Sequence, residues 1–260
     1  MENLRKYGSL PFNIAVIHGG PGAYGEMNPI AKRLSSKSGT LEPFQTSLSV
    51  GGEINELKNQ LLGYGNPPIT LIGFSWGAWL SLLTAVYYRS LIKKIIIVGC
   101  GPLEQKYAHK VIETRFSRLK SKERKEFETI LKDLNDPHIK NTKSLLNKLK
   151  KYTNKTDQYD PINIKNEVIE FNKEVFQNVW NEANSLRKSG KLLELIKNVD
   201  CPVVAIHGTY DPHPIDGVRI PLSSRLENFR IIELKKSGHK PWIEKEAKDK
   251  FYRILQKELI

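Results

Sequence analysis

Gly73-Phe74-Ser75-Trp76-Gly77 is the segment of this chain with the clearest chemical potential. The apolar run 69–72 leads into it, and the small, aliphatic and aromatic residues of 75–88 lead out of it. A G-x-S-x-G segment between a strand and a buried helix marks a sharp turn that holds a serine hydroxyl at the end of a sheet. Small residues on both sides let the backbone pass close to its neighbours, and the helix N-terminus favours negative charge beside the serine. The plain alternative is a turn whose serine caps the helix. The strand before and the helix after favour a nucleophile, Ser75.

A serine hydroxyl is a weak nucleophile until a base, itself oriented by an acid, takes its proton. In a strand–turn–helix setting of this kind the acid and then the histidine follow the serine along the chain. Asp211 follows the apolar run 203–206 through His207-Gly208-Thr209-Tyr210, and His239 lies just past the run 229–234. Both positions fall beyond the C-terminal ends of strands, where open α/β sheets gather their sites. Asp216 is the rival acid. Among the other histidines, His109 and His138 read as surface residues. His18 and His207 each end a strand before a glycine and suit an orienting role. His213 stands too near Asp211 in sequence to be its obvious partner. Acyl transfer also needs donors for the developing oxyanion. The N–H of Trp76, after the nucleophile, is one. The loop His18-Gly19-Gly20-Pro21-Gly22 offers the second from Gly20, with Gly19 as the alternative. This loop lacks the spacing of a P-loop or a dinucleotide site.

The elements that must hold these residues are short apolar runs bounded by turns. Runs at 13–17, 69–72, 95–98, 203–206 and 229–234, with a weaker one near 42–48, predict strands covered on both faces. Helical spacing recurs at 53–62, 75–88 and 244–259. Strands alternating with helices predict an α/β fold with a mostly parallel sheet of about six strands. Residues 102–197 are rich in Lys, Asn and Glu and hold no strand-like run. The organisation predicted is therefore a core from 1–101 and 198–260, with a helical insertion, a cap, at 102–197.

The composition is that of a globular chain, 39% hydrophobic and 27% charged. No run is long and apolar enough for a membrane helix, and the N-terminus lacks a signal-peptide core. Cys100 and Cys201 fall at opposite ends of their strands, too far apart for a disulfide. A reducing, cytoplasmic compartment is the simplest expectation. The formal charge of +13 arises from 41 Lys and Arg against 28 Asp and Glu. These charges are mixed along the chain and no nucleic-acid-binding motif accompanies them, so nucleic acid is not an expected partner.

HGGPG at 18–22, GFSWG at 73–77, HGTYDPHP at 207–214 and SGHKPW at 237–242 resemble the α/β-hydrolase family, and most closely its proline iminopeptidase branch. The resemblance covers roughly 12–101 and 198–260. It implies a helical cap over the site and a Ser75–Asp211–His239 hydrolase of a small ester or amide, with neither cofactor nor metal. With only about a dozen residues before the first strand, the two leading strands of the family sheet are expected to be absent. The iminopeptidase branch holds a substrate amine with acidic cap residues, for which Glu167, Glu170, Glu174 and Glu182 are available. Trp76 and Trp180 could line an apolar pocket, and Trp180 suits packing between cap and core equally well. A binding module with an idle triad is the alternative outside enzymology.

Overall fold

The computed structural model describes residues 3–136, 138–139, 143–162 and 171–259. Its strands are β1 (Leu4–Tyr7), β2 (Phe12–Ile17), β3 (Gly39–Pro43), β4 (Ile69–Phe74), β5 (Ile92–Val98), β6 (Val203–Gly208) and β7 (Phe229–Leu234). They form one sheet in the order β1-β3-β2-β4-β5-β6-β7. β1 runs antiparallel to β3, and every other neighbouring pair is parallel.

The sheet therefore has one strand more than the six predicted, and one of the two leading strands expected to be missing is present. β1 escapes a hydrophobicity reading because Leu4 is its only buried residue. Arg5 and Tyr7 are held by polar contacts to β3. Tyr7 Oη donates to Glu42 Oε2 at 2.7 Å, and the Arg5 guanidinium lies 3.8 Å from the same oxygen. Strand β3 lies a few residues before the weak run near 42–48, because the buried polar residues Thr40 and Glu42 dilute its apolar pattern.

Ten helices complete the described residues: α1 (Asn28–Leu34), α2 (Val50–Tyr64), α3 (Trp76–Tyr87), α4 (Gln105–Ser117), α5 (Ser121–Asn135), α6 (Lys143–Asp157), α7 (Lys173–Lys188), α8 (Lys191–Ile196), α9 (Asp216–Ser223) and α10 (Lys248–Glu258). Alternation along the central strands divides the core in two. Ala15, Ile17, Leu71, Ile95 and Ile97 face α2, α3 and α8, while Ile14, Val16, Ile72, Ile96 and Val98 face α1 and α10. Both faces are covered, so these strands read as continuous apolar runs. Each fully buried Ile or Leu contributes about 1.5–3 kcal/mol to holding the layers together. Helix α10 starts later than the predicted 244, because Pro241–Ile243 forms a 3-10 turn and Glu244 is used elsewhere.

Helices α4 to α8 fill the chain between β5 and β6. Leu119, Phe127, Ile130 and Tyr152 make a small core of their own across α5 and α6. Val175, Val179 and Ala183 of α7, with Leu192, Leu193 and Ile196 of α8, pack instead into the main core beside α2 and α3. The block thus has one part rooted in the sheet's helical layer and one part standing on it.

Candidate active site

Ser75 sits at the turn between β4 and α3 with φ 52° and ψ −112°, a left-handed φ that a side chain rarely adopts. Such strain persists only where the surroundings fix it. The Ser75 N–H donates to Val98 O at 3.0 Å, pinning the turn to β5. A Cβ on Gly77 would collide with the carbonyl oxygens of Ile17 and His18, so only glycine lets α3 lie this close to β2. The Ser75 side chain makes no capping bond to α3, which removes the capping-serine reading.

Asp211 follows β6 and is fully shielded at its carboxylate. It serves two imidazoles at once. His239 Nδ1 lies 2.8 Å from Oδ2, and His213 Nδ1 lies 2.7 Å from Oδ1. The backbone N–H of His213 also donates to Oδ1 at 2.9 Å, so the short Asp211–His213 spacing closes a local turn. His207 Nε2 meets the His213 carbonyl oxygen at 2.8 Å and stands 3.8 Å from Asp211 Oδ2, an orienting position. Burial opposes ionisation of Asp211, but the facing His239, His213 and His207 outweigh it and hold its pKa well below the carboxylate range. Burial pulls His213 down to about 4, so it is neutral at pH 7 despite the adjacent carboxylate.

The His239 ring is clamped between two others, stacked on His213 at 4.4 Å and tilted against Phe74 at 4.7 Å. A Cβ on Gly99, which has φ +52°, would stand 2.9 Å from His239 Nδ1, so only glycine leaves room for this ring position. Three acidic residues, Asp157, Glu244 and Glu26, hold the His239 loop. Its N–H donates to Asp157 O at 2.7 Å, while the Asp157 carboxylate takes two bonds from Arg115, at 2.9 and 2.6 Å. Buried Glu244 accepts the N–H groups of Gly238, Tyr159 and Asp160 at 2.7, 2.8 and 2.8 Å. Lys240 pairs with Glu26, beside the Gly19 loop, at 2.5 Å. Asp157, Glu244 and Glu26 had no signal in the sequence, since none belongs to a motif.

Among the described residues no hydrogen bond joins Ser75 to His239. Trp76 opens α3, so its N–H has no partner within the helix. The N–H of Gly20 has no acceptor among the described residues, and the same holds for Gly19. Asp216, the rival acid, is exposed at the start of α9 and faces Arg219 at 3.8 Å. His109 and His138 are exposed.

A cavity of about 210 Å³ opens at Ser75. Trp76, Trp79, Trp180, Val111 and Ile112 supply its apolar wall, and Arg115, Arg187 and His213 its polar one. Trp180 stacks on Trp79 at 6.1 Å, so it both packs the helical block to the core and lines the cavity. The Trp76 indole N–H donates to Glu53 Oε2 at 2.9 Å. Of the acidic residues considered for a substrate amine, Glu167 and Glu170 lie outside the described residues. Glu174 and Glu182 are exposed, and Glu182 accepts the Val50 N–H at the start of α2. One carboxylate oxygen of Asp211 and a ring nitrogen each from His213 and His239 lie within 4.8 Å of one another. The Nδ1 atoms of both rings are already spent on Asp211. Cys100 and Cys201 are unpaired. No described helix is long and apolar enough to cross a membrane.

Comparison with solved structures extends over nearly the whole chain. VinJ superposes with a TM-score of 0.71 at 17% identity, covering 98% of this chain and 93% of that one. MenH from S. aureus gives 0.66 at 17% identity, with 100% and 98% covered. A Paleococcus ferrophilus monoacylglycerol lipase gives 0.61 at 15% identity, with 98% and 97% covered. At these identities the likeness is one of fold. No curated protein sequence matches significantly. The family model for the alpha/beta hydrolase fold matches residues 46–246, a span that holds Ser75, Asp211 and His239, and the chain belongs to that family.

Proposed function

We propose that this protein is a serine hydrolase of a small carboxylic ester or amide, acting through Ser75, His239 and Asp211. The observation that carries the reading is the Asp211–His239 hydrogen bond of 2.8 Å in the same site as a serine strained to positive φ. In this reading His239 Nε2 takes the proton as Ser75 Oγ attacks the carbonyl carbon. Asp211 fixes the tautomer and stabilises the imidazolium. The N–H groups of Trp76 and Gly20 receive the oxyanion. His239 then protonates the leaving group, and water resolves the acyl-enzyme. Helices of the 102–197 block act as the cap that shapes the pocket, and the two free cysteines fit a reducing, cytoplasmic setting.

The test is a p-nitrophenyl acyl series beside prolyl and alanyl anilides, with wild type and Ser75→Ala, and fluorophosphonate labelling of both. Ester turnover and labelling lost together in Ser75→Ala support the reading. Turnover retained by Ser75→Ala overturns it, and absence of both from wild type leaves a binding module with an idle triad. Prolyl-anilide turnover would select the aminopeptidase alternative, which the cationic lining of the cavity does not favour. A second assignment of the base has its own support, because His213 bonds Asp211 and lines the cavity with Ser75. Loss of activity in His239→Asn with retention in His213→Asn upholds His239, and the reverse pattern transfers the role to His213.

A further inference from the structure

Three basic side chains line the cavity at Ser75, and two of them are already engaged. Arg115 is held by both oxygens of Asp157, and His213 by Asp211. Arg187 is different. Its Nε meets Gln105 Oε1 at 3.3 Å and one terminal nitrogen meets Asn184 Oδ1 at 2.7 Å. Both partners are neutral amides, and among the described residues no carboxylate lies within ion-pair distance of Arg187. A guanidinium carries five N–H donors, so most of its capacity faces no protein acceptor. The group is half-buried and sits over the Trp79 ring at 5.5 Å, against the wall that Trp79 and Trp180 share. Burial draws its pKa down, with no anion acting in the other direction. A charge withdrawn from water without a counter-ion is costly unless a ligand supplies one.

We propose that Arg187 is the recognition site for a carboxylate at the far end of the substrate's acyl group. The substrate class is then the half-ester or half-amide of a short dicarboxylic acid, a proposal that rests on the hydrolase reading above. The planar fork of arginine matches a carboxylate through two parallel hydrogen bonds. Val111, Ile112 and the indoles line the same cavity as Ser75 and Arg187, and offer the methylene chain an apolar wall. The cavity, at about 210 Å³, is smaller than the roughly 300–1,000 Å³ of drug-sized ligand sites. That size suits a short spacer. A neutral acyl chain would leave the guanidinium desolvated and unpaired, so the site discriminates against it.

Two measurements test this separately from catalysis. In the first, Ser75→Ala protein is titrated calorimetrically with monomethyl glutarate and with methyl pentanoate, neither of which it can turn over. The half-ester is expected to bind about tenfold tighter or better, the range of a charge-assisted hydrogen bond. Adding Arg187→Gln should abolish the preference, and adding Arg187→Lys, which keeps the charge but not the fork, should restore part of it. Equal affinities, absence of half-ester binding, or a preference surviving Arg187→Gln in folded protein would overturn the proposal. The second compares kcat/KM for the two esters in wild type and Arg187→Gln. A half-ester preference that collapses through KM supports the assignment, and an unchanged ratio refutes it. Failure of the hydrolase reading looks different: no turnover of either ester and no labelling of Ser75, with the titration still deciding whether Arg187 binds a carboxylate.

Discussion

Glu53 gives the most quantitative test of the ground beneath the Ser75 turn. It is 1% exposed, its Oε2 accepts the Trp76 indole N–H, and its Oε1 has no hydrogen-bond partner. Burial raises its pKa from 4.5 to about 8, with the Trp76 bond opposing and the charges of Glu56 and Glu182 adding to the rise. Between these two values the folded chain holds a proton that the unfolded chain releases. Stability from this group is therefore full below pH 4.5, declines as pH rises, and is flat above about pH 8. At about 1.4 kcal/mol per pH unit, keeping Glu53 protonated costs about 3 kcal/mol at pH 7. Glu53→Gln keeps an oxygen for Trp76 and removes the titration. Urea unfolding of both proteins across pH 4 to 9 should give a difference that is small at pH 4 and grows to about 3 kcal/mol in the variant's favour at pH 7. A difference that does not vary with pH would refute the reasoning, because it would mean that Glu53 is ionised in the fold or open to water.

Other outcomes follow from the same geometry. Ser75→Ala should abolish fluorophosphonate labelling and lower kcat by at least about a thousandfold, while its thermal midpoint stays close to wild type, since Ser75 makes no side-chain cap. Gly99→Ala should lower kcat sharply by displacing His239, a loss read in a steady-state assay. Arg115→Met should destabilise by about 3–5 kcal/mol in denaturant unfolding, because it strands the buried Asp157 carboxylate. His213, neutral when folded with a pKa of about 4, contributes stability that is present above pH 6.5 and is lost as pH falls toward 4. His213→Asn should flatten that part of the unfolding profile.

The sheet and the turn at Ser75 were legible because their signals are local. Residues 69–77 carry an apolar run, two glycines and an aromatic helix start in unbroken order, and each feature follows from one backbone requirement. Asp211 and His239 were reachable by the same logic, because the ends of parallel strands converge on one edge. β1 was not, since only Leu4 is buried and two of its other residues, Arg5 and Tyr7, are fixed by polar contacts to Glu42 that no periodicity reports. His213 was set aside for standing two residues from Asp211. Sequence distance misled there, because a carboxylate has two oxygens and the turn closed by the His213 N–H turns the second toward its own neighbour's ring. The role of the helical block was the least legible. Trp180 was named for an apolar pocket by its residue type alone, and nothing in the spacing of Arg187 on α7 states which wall of which cavity it will meet.

That block is nevertheless bound to the histidine more tightly than an appended cap would need to be. Asp157, the last residue of α6, accepts the His239 N–H through its carbonyl and takes Arg115 of α4 on its carboxylate. Glu244 ties Gly238, on the histidine loop, to Tyr159 and Asp160, just beyond α6. Lys240 reaches Glu26 on the far side. Each of these charges is largely buried, and a buried charge is stable only while its partners remain in place. Displacing the end of α6 from the histidine loop by an ångström or two would thus take the Tyr159 and Asp160 donors from Glu244 at the same moment as it freed the His239 N–H from Asp157. The geometry of the histidine and the seating of α4 and α6 are one equilibrium. A variant that loosens the Arg115–Asp157 pair should lose activity before it loses its fold.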